Sequence, residues 1–288
     1  MVVAQIAYNH LDSAVKAKCD ALVAVPLSYG GASTSNFVTA AVWADDYKSQ
    51  LGSSIWHCID LPFSLDGTST NGFVPASFDV VQAINLSIAT LQNSSASQSN
   101  QAVSLRYLLH FVGDIQQPLH ASDAFFASQP NGDAGANSFG ITGTWNNLHS
   151  VWDSGGSYLT DSLSRPLSAA GQTTLSNKVA AIEADYPVLS ENSCIPIRIR
   201  VSLCSKASST EIASENIARG PFHCDTTISR TESLHWDNSG SWLPKRMGSN
   251  WHSLRATILG WGIGLTTLSS HRFCLAGTLK YILRNGLI

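Results

Sequence analysis

Residues 105–120 read LRYLLHFVGDIQQPLH, and the reading of this stretch decides the fold. Up to Val112 it is apolar on almost every side, as a helix enclosed by other elements must be. The exceptions are Arg106, His110 and Asp114, each four residues from the next, which form one polar stripe along the helix. Enclosed groups of this kind need partners. Pro118 cannot continue the helix, and it leaves His120 on the turn beyond.

The same residue types recur on both sides. Asp45 in VWADDYK and His57 in WHCID precede the stretch, and His149 and Asp153 in NLHSVWD follow it. His110/Asp114 and His149/Asp153 are both spaced i, i+4, so each pair faces one way and can clamp one ion. A lone His on an apolar face is usually an ordinary core residue. Seven donors in order, with HxxxD twice, argue instead for metal. A set of His and Asp without Cys suits hydrolytic zinc chemistry on a phosphate better than a structural role.

The chain has 288 residues, 44% hydrophobic and 13% charged, which is the composition of a folded globular protein with one large domain or two small ones. A formal net charge of −3 gives no general attraction for nucleic acid. Two divalent ions among Asp45, Asp114 and Asp153 would still leave about one local positive charge, enough for one phosphodiester. The six cysteines form no CxxC pair, which argues against a cysteine zinc site, and they do not fix the compartment. Asn85-Leu-Ser and Asn93-Ser-Ser are glycosylation acceptors. The opening MVVAQIAYNHLDSAV lacks the basic and apolar regions of a signal peptide, and ILGWGIGLTTL is too short to span a bilayer. Neither a GxSxG elbow nor a phosphate-cradling GxxxxGK[ST] loop occurs.

The periodicity predicts a mainly helical chain. Val38, Ala41, Val42 and Asp45 fall on one face of a helix over 36–50, placing Asp45 on its apolar side. Phe78, Val81, Ile88 and Leu91 mark a helix over 77–92, with a solvated loop over 93–101. Residues 121–145 read as loop with short strands near SFGITGTW. Asn146 or Asn147 caps a helix carrying His149 and Asp153. Leu175, Val179, Ile182 and Tyr186 make a helix closed by Pro187, CIPIRIRVSLC a strand, and 272–285 a last helix. Trp43, Trp145 and Trp152 are expected in the core, His10 on the surface. Arg106 is either a partner of Asp114 or half of a helix-face salt bridge.

In order and spacing, WADDYK, HCID, LRYLLHFVGDIQQPLH, DAGAN and NLHSVWD resemble the motif series of the zinc-dependent single-strand-specific nucleases and 3′-nucleotidases, over residues 2–190. The resemblance implies an all-α, phospholipase C/nuclease-like fold, a single domain over 1–288 with a three-zinc cleft. It implies a secreted or vacuolar, disulfide-bonded glycoprotein. This would be a monomer acting on single-stranded DNA, RNA and nucleotides and leaving 5′-phosphates, with 3′-nucleotidase activity alongside. By motif, Asp45, His57, His110 and Asp114 would bind one zinc, and His120, His149 and Asp153 a second, with Asp114 also bridging to a third. Asp45 would orient the attacking water and Lys48 neutralise the scissile phosphate. Asp60 would help read the base, and Asn137 would lie beside the nucleotide.

The departures carry expectations of their own. In the family a terminal Trp amine and a nearby His complete the third zinc site. VVAQIAY matches the segment just after that His, so the chain is expected to be N-terminally truncated and to hold two zinc sites. Cys58 stands where an aromatic ring often stacks a base, which predicts weaker nucleotide affinity. Gln116 replaces a His or Thr without consequence. Residues 191–288 are expected to be divergent or a gene-prediction error, with only ASENIARG and CLAGTLKYIL matching late family helices. A zinc phospholipase C-like hydrolase, or an inactive homologue that binds zinc or nucleic acid, are the alternative readings.

Overall fold

The computed structural model describes residues 1–185 apart from Leu65, together with the backbone of 235–236 and 242–243. The described part is mainly helical. In chain order come α1 (Val2–His10), α2 (Ser13–Val23), α3 (Phe37–Ala40), α4 (Trp43–Leu51), β1 (Pro62–Ser64), α5 (Val80–Gln92), α6 (Gln98–Asp114), β2 (Asp123–Phe125), α7 (Leu148–Asp153) and α8 (Ala169–Asp185). Short 3-10 turns span Gly31–Thr34, Ser54–His57 and Pro118–Ala121. β1 and β2 pair in parallel, Pro62 opposite Asp123. His235–Trp236 and Trp242–Leu243 pair antiparallel. The expected strand over CIPIRIRVSLC, the helix over 272–285 and the closing Pro187 lie outside the described residues.

α6 is the central element, packed against α5, α2 and α4 with α1 and α3 beyond. Leu105, Leu108, Leu109, Phe111 and Val112 are buried around its circumference, so no face is left for solvent through its middle. It starts earlier than the sequence suggests: Ser97 caps it by accepting from Asn100 N–H, and only 93–97 remains as loop. α5 opens on a capping box, in which Asp79 accepts from the Val81 and Gln82 N–H groups while Gln82 accepts from Asp79 N–H.

The helix expected over 36–50 is broken. α3 ends at Ala40, and Ala41 and Val42 turn the chain before α4 starts at Trp43. The break takes Asp45 off the Val38/Ala41 stripe, so α4 buries Trp43 and Ala44 while the Asp45 side chain is 53% exposed. Trp43 is the only one of the three noted tryptophans in the core. Trp145 and Trp152 are half-exposed. Between α7 and α8 the chain crosses back to α4, where Arg165 pairs with Asp46.

Because α6 is enclosed all round, truncating one of its leucines leaves a cavity that neighbours cannot fill. Leu105→Ala should lower unfolding stability by about 2–5 kcal/mol. Leu86→Ala, at a position 52% exposed on α5, should change it by under about 0.5 kcal/mol. Equilibrium urea unfolding of the two variants checks the contrast.

Candidate metal centre

Five elements converge at the C-terminal end of α6. α4 supplies Asp45, the Ser54–His57 turn supplies His57, and α6 supplies His110 and Asp114. The Pro118–Ala121 turn supplies His120, and α7, capped by the Asn147 side chain on Ser150 N–H, supplies His149 and Asp153. Two chain segments run side by side through this region. His120 Nδ1 donates to His57 O (3.1 Å), Ile59 N–H to His120 O (2.8 Å) and Asp123 N–H to Leu61 O (3.0 Å). The β1–β2 pairing continues that line, so His57 and His120 share one hydrogen-bonded framework.

Asp45, His57 and His110 bring one donor atom each within 4.8 Å of one another. His57 Nδ1 lies 3.1 Å from His110 Nε2 and 3.8 Å from Asp45 Oδ1. Asp114 Oδ2 is 2.9 Å from both of those nitrogens and 3.9 Å from His120 Nδ1. Bonds of zinc to nitrogen and oxygen near 2.0–2.1 Å set tetrahedral ligand–ligand edges at roughly 3.3 Å, close to these separations. His110 Nδ1 donates to Ala41 O at 2.7 Å, which fixes the tautomer and turns the Nε2 lone pair inward. The buried His57 Nε2 has no hydrogen-bond partner, and the ring stands edge-on to Phe111.

His120, His149 and Asp153 form a second group within the same limit. Asp153 Oδ1 lies 3.6 Å from His120 Nε2, and its Oδ2 lies 3.5 Å from His149 Nε2. The two imidazoles stack at 5.0 Å. His149 Nδ1 donates to Gly135 O at 2.7 Å. Gly135 has φ +62°, and a Cβ there would collide with the Leu119 carbonyl, so this close approach to the His120 turn requires glycine.

Within the groups, burial and neighbouring charges act on the carboxyls and imidazoles in opposite directions. Burial works against ionisation of Asp114, but the imidazoles of His110, His57 and His120 outweigh it and keep the carboxyl well below the usual range. Burial lowers His110 and His120, and the neighbouring carboxylates reverse this. Asp114 dominates at His110 and Asp153 with Asp114 at His120, so both imidazoles end above their usual value. Asp153 is likewise opposed by burial yet lowered by His120 and Gln117.

The other noted residues divide. Lys48 Nζ reaches Asp45 Oδ1 at 2.9 Å, beside the first group. Asn137 is exposed and donates to Ala134 O, one residue from the carbonyl that orients His149. Asp60 lies beside Cys58, and burial together with Asp60 raises that thiol to about 11. Cys19 and Cys58 are both unbridged, and the other four cysteines lie outside the described residues. Arg106 fits neither expectation. It is buried and donates to two backbone carbonyls, Ala102 O and Val23 O, the latter at the end of α2. His10 is tied to Glu183 of α8. The sequence reading missed the carbonyls of Ala41 and Gly135 and the side chain of Gln117. Only the Gln-Pro step hinted at the last.

A sequence profile of the S1/P1 nucleases matches residues 1–220. The chain belongs to the S1/P1 nuclease family. It is 36% identical to nuclease P1 of Penicillium citrinum over 135 residues, which cover 43% of this chain and 46% of that protein. It is 31% identical to nuclease S1 of Aspergillus oryzae over 194 residues, covering 64% and 58%. The chain thus spans about half the length of the curated relatives it matches. Both donor groups fall within the described helices and turns.

A pH dependence follows for chelator-treated protein. His110 and His120, raised on folding, add stability that is complete below about pH 6.5 and is lost as pH rises through their folded values. Asp114 and Asp153, lowered on folding, add stability that is present above about pH 4 and is lost as pH falls through their folded values. Metal-free protein should therefore show its highest melting temperature between roughly pH 4 and 6.5. Thermal unfolding across that range and above tests this. A melting temperature that keeps climbing to about pH 8 contradicts it.

Proposed function

We propose that the chain is a zinc-dependent phosphodiesterase that cleaves single-stranded DNA and RNA to 5′-phosphate products, with 3′-nucleotidase activity alongside. The observation that carries the reading is the pair of three-donor groups with the Asp114 carboxylate between them. Asp45, His57, His110 and Asp114 would hold one ion, and His120, His149 and Asp153 a second. The donor chemistry fits zinc, since histidine and carboxylate without thiolate are what hydrolytic zinc sites use. When bound, zinc supplies Lewis-acid polarisation of the phosphate and lowers the pKa of water.

The remaining roles belong to this chain's own side chains. Asp45 sits with its carboxylate half exposed at the mouth of the first group, where it can orient a water and accept its proton at Oδ1. Lys48, already paired with that oxygen, would exchange it for the scissile phosphate and offset charge as it develops. Asp60 and Asn137 are proposed to contact the base and the nucleotide. The reading takes 1–288 as one nuclease domain. It also takes the protein as secreted, where the exposed Asn85 and Asn93 would carry glycans. Among the described residues no helix is long and apolar enough to cross a membrane.

Elemental analysis after dialysis should find about two zinc ions per chain, and zinc-dependent release of acid-soluble nucleotides should favour single-stranded over duplex DNA. Asp45→Asn should lower turnover by at least about a hundredfold with only a modest loss of thermal stability. Absence of zinc, or hydrolysis of a short-chain phosphatidylcholine without any of nucleic acid, would sink the reading.

A further inference from the structure

Gln117 is hydrogen-bonded on every side to the elements that carry the two groups. Its backbone N–H donates to Asp114 O (2.9 Å), and its carbonyl accepts from His120 N–H (2.9 Å). Its side-chain Oε1 accepts from Leu119 N–H at 2.6 Å, which caps the turn carrying His120. Its Nε2 donates to Asp153 Oδ1 at 3.0 Å, across 36 residues of sequence. Pro118 fixes the geometry: it confines Gln117 to an extended backbone, ψ 116°, and starts the turn with its own restricted φ.

Asp153 needs such a tether. Its side chain is 51% exposed, on the six-residue α7, which buries none of its residues. A half-exposed carboxylate on so short a helix samples several rotamers, and each is a different arrangement for an incoming ion. The Gln117 amide holds Oδ1 where it faces His120 Nε2 at 3.6 Å, and this leaves Oδ2 turned toward His149 at 3.5 Å. We infer that Gln117 is a positioning residue that holds the Asp153 carboxylate in one orientation toward His120 and His149, and that it acts on that group alone. Partners of this kind beside metal ligands typically change affinity by about 10–100-fold. In the first group Asp114 is held by His57 and His110 directly, and the exposed Asp45 by Lys48, so neither carboxylate depends on the Gln117 side chain.

The inference rests on the proposed zinc site, and its test separates the two. Gln117→Asn keeps an acceptor suited to capping Leu119 N–H but is one methylene too short to reach Asp153. Gln117→Met removes both contacts at similar volume. Metal-free protein is titrated with zinc against a chromophoric chelator, with His149→Ala and His110→Ala marking which class of ion belongs to which group. Melting temperatures of the metal-free forms are measured alongside. The expected result for Gln117→Asn is about tenfold weaker binding in the class that His149→Ala abolishes. The other class should be unchanged, and the metal-free melting temperature should stay near that of the wild type. Gln117→Met should show the same selective loss together with a lower melting temperature. Unchanged zinc binding in Gln117→Asn overturns the inference while leaving the zinc site intact. So does an equal weakening of both classes, which would mean that Gln117 merely supports the fold. A wild type that binds no zinc overturns the site reading itself.

Discussion

The carboxylate of Asp114, enclosed at the end of α6, is the constraint on which the rest of the structure depends. An ionised group there is costly to bury unless polar partners surround it. His57, His110 and His120 do so from three separate elements. α6 cannot slide along its axis without pulling Asp114 out of this arrangement, nor can the Ser54–His57 and Pro118–Ala121 turns separate. The apolar packing of α6 fixes where it lies, and Asp114 fixes its register.

The scaffold around that point is unequal. On the first side, an aromatic cluster backs the ligands: Tyr107 stacks on Phe111 at 5.1 Å and meets Trp43 and Trp56 edge-on or tilted. Such pairs add about 0.5–1.5 kcal/mol each beyond the area they bury, which makes the wall behind His57 and His110 stiff. On the second side the ligands stand on a four-residue turn and a one-and-a-half-turn helix, held by hydrogen bonds to Gly135, His57 O and Gln117. Precision there comes from polar contacts, which solvent can compete for.

Local periodicity made α6 legible, because a helix that is apolar all round with a stripe four apart has no good alternative reading. The same rule misled at Asp45. Its pattern spans two helices, and the turn at Ala41–Val42 contains no Gly or Pro to mark it. The start of α6 was hidden because Ser97 caps it from inside a polar run that reads as loop. Arg106 was read as seeking a carboxylate, whereas the open carbonyl at the end of α2 satisfied it, a contact spanning 83 residues. Gln117 and the Ala41 and Gly135 carbonyls act through tertiary contacts or through the backbone, and residue type does not announce either. The proximity of the two donor groups is likewise tertiary. It depends on the 57–61 and 120–123 segments lying side by side, which no spacing in the chain reveals.

Each group joins covered imidazoles to one carboxylate that reaches solvent. His57, His110, His120 and His149 are all largely covered, whereas Asp45 and Asp153 each present half their side-chain surface to water. A chelator or a competing cation in solution would therefore meet Asp45 or Asp153 before any imidazole. Each of these carboxylates already has a partner, Lys48 on the first side and Gln117 on the second. Entry to either group thus runs past a carboxylate whose own hydrogen bond has to open first.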